Sequence, residues 1–147
     1  MSKVIKLGIA KNNNQKIEEV EKVKLLSGKG IVDDYHFNEN NDVKKQITLI
    51  ESENIDYYND KFKTNYSYLE FRRNVVTKGI RLNDLVGKKL LIGDIEVKGH
   101  DLCRPCKHLE ETLKGKDIIK EFIRKGGLRC EILISGTIKL GDEIKTI

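Results

Sequence analysis

The chain has 147 residues, with 28 lysines and arginines against 23 aspartates and glutamates, a formal net charge of +5. That length predicts one domain over 1–147 that buries its core without disulfide staples. No apolar run approaches the roughly 18 residues of a membrane span, and Met1-Ser2-Lys3-Val4-Ile5-Lys6 has no signal-peptide core. The three cysteines are too sparse for a secreted disulfide framework, so the expectation is a cytoplasmic protein with free thiols.

Residues 4–10 alternate apolar and polar side chains and predict a strand. Residues 20–25 repeat the alternation, which a strand or a helix would satisfy. Ser27-Gly28-Lys29-Gly30 reads as a loop, and residues 46–50 as a compact strand. Ile55, Tyr58 and Phe62 fall at helical spacing and predict a helix over 51–62. Leu69, Phe71, Arg73 and Val75 alternate again and predict a strand. Beyond Leu82, Val86-Gly87 and Ile92-Gly93-Asp94 bracket a strand that resumes at 95–97. A helix is predicted over 117–125, with Lys120, Arg124 and Lys125 near its C-terminus and Gly126-Gly127 as its stop. Cys130 lies in an apolar strand over 128–134 and reads as core. Ser135-Gly136 and Leu140-Gly141-Asp142 bracket one more strand, and residues 144–147 form the last. Short strands with Gly-Asp turns predict a mainly β fold with a few short helices, closed or nearly closed into a β-barrel.

The segment richest in chemistry is Cys103-Arg104-Pro105-Cys106, which holds the only proline. His100, Cys103, Cys106 and His108 are four zinc-type ligands. Structural zinc sites join two separated ligand pairs, however, and the single residue between Cys106 and His108 would strain a tetrahedron. Thioredoxin-like redox chemistry needs a βαβ setting, and Glu110 and Glu111 would oppose a thiolate there. A single nucleophilic or metal-ligating thiolate is favoured by Arg104 and Lys107 beside Cys106. Both cysteines would also serve as small buried residues, and spacing alone does not choose between these last two.

His36 follows Asp33-Asp34-Tyr35. Two aspartates favour its charged form, and it would act either as a donor to an anion or as a loop histidine bonded to an aspartate. Arg72, Arg73, Lys78, Arg81, Lys88 and Lys89 face only Glu70 and Asp84 nearby, a basic surface suited to solvent, to nucleic acid or to one phosphorylated small molecule. The paired arginines favour phosphate, which a guanidinium binds in a bidentate way. With only Tyr68 and Phe71 close by, base stacking is poorly supported and nucleic acid is not the expected partner.

In order, these segments resemble the MOSC family, named for the C-terminal domain of molybdenum cofactor sulfurase. Gly28-Lys29-Gly30-Ile31-Val32 and Asp34-Tyr35-His36 resemble its glycine loop and Gly-Asp-x-His segment. Lys45-Gln46-Ile47-Thr48-Leu49-Ile50 resembles Arg-Gln-Val-Ser-Leu-Ile, and Arg72-Arg73-Asn74-Val75-Val76-Thr77-Lys78-Gly79 resembles Arg-x-Asn-Ile-x-Thr-x-Gly. Pro105-Cys106 fits the central cysteine, and Gly127-Leu128-Arg129, Gly136-Thr137-Ile138 and Gly141-Asp142-Glu143-Ile144 resemble the closing strands. Two positions depart: Asp33 stands where a glycine is expected, and Lys45 where an arginine is expected.

The resemblance implies a MOSC-type β-barrel of the short free-standing bacterial kind, binding molybdenum cofactor in its molybdopterin form. It selects Cys106 as catalytic residue and metal ligand. It places Arg72 and Asn74 at the pterin and its phosphate, with Lys29, His36, Lys45, Gln46, Thr77 and Arg104 completing the pocket. The amides of Gln46 and Asn74 are expected to match the pterin edge. The implied activity is reduction of N-hydroxylated or N-oxide substrates with a separate reductase as electron donor. The alternative is carriage of the cofactor, or of a Cys106 persulfide, to or from a cofactor-biosynthesis enzyme.

Overall fold

The computed structural model describes residues 1–13, 15–105 and 107–147, and its elements follow the patterning of apolar side chains. In chain order the strands begin with β1 (Lys3–Ile9), β2 (Glu18–Val20), β3 (Lys22–Leu26), β4 (Gly30–Ile31), β5 (Ile47–Glu51) and β6 (Val75–Lys78). They continue with β7 (Lys89–Ile92), β8 (Ile95–Leu102), β9 (Leu128–Ile132), β10 (Gly136–Lys139) and β11 (Ile144–Thr146). The helices are α1 (Ser52–Phe62), α2 (Lys107–Leu113) and α3 (Ile118–Glu121). None is long and apolar enough to cross a membrane.

One eight-stranded sheet runs β11-β7-β8-β9-β5-β6-β1-β2, and a three-stranded sheet runs β10-β3-β4. The large sheet curls back on itself. β2 pairs with residues 7–9 of β1, which leaves the first half of β1 open on that side. The chain entering β11 takes up those groups: Val4 donates to the Asp142 carbonyl at 2.9 Å, Gly141 to Val4 at 2.8 Å and Ile144 to Ser2 at 2.9 Å. These bonds satisfy backbone groups that an open edge would expose. The result is the mainly β, barrel-type fold that the glycine-punctuated strands predict.

Val4, Leu7, Leu49, Val75, Leu90, Val97, Leu128, Cys130 and Ile132 meet inside the curl, joined by Leu25 and Ile138 from the small sheet. β5 and β6 pair in parallel, connected through α1. Their other face is buried too, because Ile50 and Val76 pack with Ile55, Tyr58, Phe71, Leu109, Ile118 and Phe122. Burial on both faces is what parallel strands require, and it accounts for the near-continuous apolar run in β5. The run at 20–25 is strand, not helix.

Two expectations are corrected. The alternation at 69–75 does not extend as a strand: residues Tyr68–Phe71 form a 3₁₀ turn before β6 begins at Val75. Ser67 and Glu70 build a reciprocal capping box there, and Arg72 ends the turn with φ 63°, so local hydrogen bonding overrides the period-two pattern. The helix predicted over 117–125 shrinks to Ile118–Glu121, with left-handed Asp117 before it and left-handed Arg124 after it. Each left-handed residue leaves the α-region and interrupts helical hydrogen bonding.

Candidate functional site

The Asp34-Tyr35-His36 turn hangs on a buried carboxylate. Asp34 is 6% exposed; its Oδ1 accepts from the Ala10 N–H at 2.9 Å, and its Oδ2 accepts from the His36 N–H at 3.1 Å. The His36 ring meets the same Oδ2 through Nδ1 at 3.1 Å and lies against Tyr35, with ring centroids 3.9 Å apart. Burial alone would raise the pKa of Asp34. The hydrogen bonds from the His36 ring, Ala10 and the His36 backbone, with the attraction of the His36 charge, outweigh burial and hold the carboxyl below its ordinary value. The pairing orients the imidazole and leaves Nε2 as the nitrogen not held by Asp34.

Across from this turn, the start of β6 is tied to its neighbours through Asn74. Its Oδ1 accepts from the backbone N–H and the hydroxyl of Thr48, both at 3.1 Å, and its Nδ2 donates to the Gly8 carbonyl at 3.1 Å. One amide therefore joins β5, β6 and β1, and it carries Arg72 and Arg73 to a fixed place beside them. Arg72 donates to the Gln15 carbonyl at 2.6 Å, and Arg73 donates through Nε to the Gly126 carbonyl at 2.8 Å. Cys103 is held at the same junction by its N–H to the Gly127 carbonyl at 2.7 Å. Gly127 has φ 113°, and a Cβ there would overlap the Leu49 carbonyl oxygen, so the close approach requires glycine.

These segments enclose a cleft of about 470 Å³. Its lining carries six cations, Lys44, Lys45, Arg72, Arg73, Arg104 and Arg129, against one carboxylate, Asp34. Only Lys44 has an acidic partner among the described residues, Asp101 at 3.5 Å. Ala10, Ile17, Ile47 and Leu109 supply an apolar wall. The volume is in the usual range for small-molecule sites, and the charge excess suits an anionic group. Cys103 and His108 also face it.

The residues expected at the site divide between two places. His36, Lys45, Arg72, Asn74 and Arg104 line the cleft. Lys29 pairs instead with Glu39 at 2.7 Å, outside the lining. Gln46 is buried, its Oε1 accepting from the Ile132 N–H at 2.9 Å and its Nε2 donating to the Asn41 carbonyl at 3.3 Å. Thr77 is fully buried and donates to the Ile50 carbonyl at 3.3 Å. The Gln46 amide bonds backbone groups, while the Asn74 amide bonds the Gly8 carbonyl and both the backbone and the hydroxyl of Thr48 at the edge of the cleft. Of the basic surface read from the sequence, Arg72 and Arg73 reach the cleft, while Arg81 pairs with Asp84 at 3.5 Å.

Arg129 was not singled out from the sequence. It lies between buried Leu128 and Cys130 on β9 and opposite Thr48 of β5, so the alternation of β9 was the available signal. His100 bonds Glu131 at 2.9 Å rather than facing the cleft, and no three His, Cys, Asp or Glu side chains converge as a metal set among the described residues. Cys106, expected as metal ligand and catalytic residue, lies outside the described residues. Cys130 is core, and burial, with a lesser contribution from Cys103, pushes its thiol far above the ordinary range.

A curled barrel with a cation-lined cleft beside its parallel strand pair is the arrangement that the chain presents. The MOSC domain model matches residues 32–145, and the chain belongs to that molybdenum-cofactor-associated family. The YuaD protein from Bacillus subtilis is similar in structure over 99% of this chain and 96% of its own, with 19% identity and a TM-score of 0.80. YiiM from Geobacillus stearothermophilus is similar over 100% of this chain and 75% of its own, with 16% identity and a TM-score of 0.79. YiiM from Escherichia coli gives 100% and 70%, 14% identity and a TM-score of 0.73. No curated protein matches the sequence.

Proposed function

We propose that the cleft holds molybdenum cofactor and that the domain supports two-electron reduction of N-hydroxylated substrates. The observation that carries this reading is the set of five cleft cations without a carboxylate partner among the described residues: Lys45, Arg72, Arg73, Arg104 and Arg129. Uncompensated cations around one cavity are costly unless they face water or an anion, and guanidinium forks match phosphate oxygens. The apolar wall suits a flat ring system. By family resemblance Cys106 is the protein ligand to the metal, consistent with the preference of soft metals for thiolate.

When bound, the cofactor supplies two-electron redox chemistry. The chain's own residues do the rest. Arg72 and Arg129 anchor the anionic end, Ile47 and Leu109 exclude water from the ring, and Asp34 holds His36 with Nε2 free to give a proton to the departing oxygen. The overall change is R–NH–OH plus two electrons and two protons to R–NH2 and water, the electrons coming from a separate reductase.

Elemental analysis of protein from a cofactor-producing host, beside Cys106→Ala and Arg129→Ala, tests this. Near-stoichiometric molybdenum in the parent and its loss in Cys106→Ala supports the reading. Zinc in place of molybdenum, or molybdenum undiminished in both variants, sinks it. Mass spectrometry after incubation with a cysteine desulfurase addresses carriage: an unmodified Cys106 argues against a persulfide role.

A further inference from the structure

Asp34, Tyr35, His36, Lys44 and Lys45, all of which line the cleft, come from one loop between β4 and β5. Apolar packing does little to hold that loop. Of residues 33–45 only Asp34 is buried, and only Phe37 and Asn41 are half-buried. A wall so exposed keeps its shape through side-chain bonds to its own backbone, and these converge on Asn41.

The Asn41 Nδ2 donates to the His36 carbonyl at 2.7 Å, to the Lys29 carbonyl at 2.8 Å and to the Lys45 carbonyl at 3.2 Å. An amide has two hydrogens, so one of them is shared between acceptors. The Asn41 backbone is engaged as well. Its N–H donates to the Gly28 carbonyl at 3.1 Å, and its carbonyl accepts from Gln46 Nε2 at 3.3 Å. Gln46 in turn accepts from the Ile132 N–H, which anchors the loop to β9 in the barrel. Asp34 holds the His36 ring from one side; Asn41 holds its backbone from the other, and the same amide holds Lys45.

The geometry points to Asn41 as the positioning residue of the cleft, its amide fixing the His36 imidazole and the Lys45 ammonium at one separation. That serves the reaction because His36 gives the proton while Lys45 meets the anion. The assignment rests on the cofactor reading of the cleft, but the spacing exists without the cofactor. With the amide removed, three carbonyl oxygens face one point without a donor. They repel, the loop opens, and both side chains move together; a misplacement of about 1 Å costs about a hundredfold in rate. A small cation bearing N–H donors would draw the carbonyls together again. Ammonium is such a cation, and the Asn41 distances are those of ordinary N–H···O bonds.

NMR of the cofactor-free chain reads the loop directly, with the His36 ring signals assigned by comparison with His36→Gln and thermal melting to confirm that each variant folds. In Asn41→Ala the His36 ring signals and the Lys45 backbone N–H should shift, and affinity for inorganic phosphate should fall about tenfold. Ammonium chloride should return the signals toward the parent positions and recover most of the affinity. Tetramethylammonium chloride, which has no N–H, should do neither at equal ionic strength. Asn41→Ser replaces Asn41→Ala if the first variant does not fold. His36 and Lys45 signals that stay at the parent positions, a lower melting temperature with phosphate affinity unchanged, or equal effects of the two salts would overturn the assignment. A parent that binds no phosphate while the His36 signals still respond to Asn41→Ala and to ammonium would remove the cofactor reading and leave the positioning role standing.

Discussion

The Asp34 carboxylate and the His36 imidazole meet at 3.1 Å, with the carboxylate buried and the ring open to the cleft. The buried partner fixes the ring, while the exposed one faces the cleft. Asp34 is held below its ordinary value, so its share of stability is present above the unfolded carboxylate value of about 3.9 and is lost as pH falls through the lower folded value. Asp34→Asn should therefore destabilise the chain at neutral pH, with the difference from the parent shrinking as pH drops below about 4. Urea unfolding at a series of pH values measures this, and a difference independent of pH would refute it.

His36→Gln keeps a side chain able to hydrogen-bond Asp34 but removes the imidazole. Folding should be little affected. Activity of the molybdenum-loaded protein on an N-hydroxylated substrate should fall about 10²–10⁴-fold, the range for loss of a general acid. Unchanged turnover would assign His36 to structure alone.

Arg129 faces the cleft from β9 and has no carboxylate partner among the described residues. Arg129→Ala should lower cofactor affinity by about tenfold to a hundredfold, the scale of a charge-assisted hydrogen bond. Melting temperature should hardly move. Pterin fluorescence released per mole of protein gives the occupancy, and full occupancy in the variant would exclude Arg129 from the anion site.

Asn74→Ala should act on stability before function. It strips a partner from the Thr48 N–H, the Thr48 hydroxyl and the Gly8 carbonyl together. Leaving such groups unsatisfied costs about 1–3 kcal/mol each where water cannot replace the partner; Thr48 lines the cleft, where water replaces part of the loss, so roughly 2–4 kcal/mol is expected. Denaturant unfolding decides it. Thr77→Val, which removes only one buried donor, should cost about 1 kcal/mol and leave cofactor occupancy unaltered.

Gly127→Ala places a methyl group into the Leu49 carbonyl and asks alanine to adopt φ 113°. The backbone strain alone costs about 1–3 kcal/mol. The Cys103 N–H donates to the carbonyl of Gly127 itself, so the substitution should also disturb the thiol segment, visible as faster reaction of Cys103 with a thiol reagent. Parent-like stability and thiol protection would contradict the packing described.

What was legible in the amino-acid sequence is what depends on near neighbours along the chain. Alternating apolar residues in β1 and β9 require one buried face, the spacing of Ile55, Tyr58 and Phe62 requires a helix, and Gly-Asp pairs mark the turns around β7 and β10. The ordered MOSC-like segments also identified His36, Lys45, Arg72, Asn74 and Arg104, which line one cleft. Cross-strand relationships were not legible. Whether Gln46 and Thr77 face a ligand or the core depends on which strands lie beside them, and Lys29 is claimed by Glu39 through loop packing. Arg129 and Asp101 lie far apart in the chain and become neighbours through the register and bulge of β8 on β9. Even the strand pattern at 69–75 yielded to a capping box and a left-handed Arg72. Periodicity determines which face of an element is apolar; only the assembled sheet determines which polar residues on the other faces share a cavity, because that is a matter of distance in space.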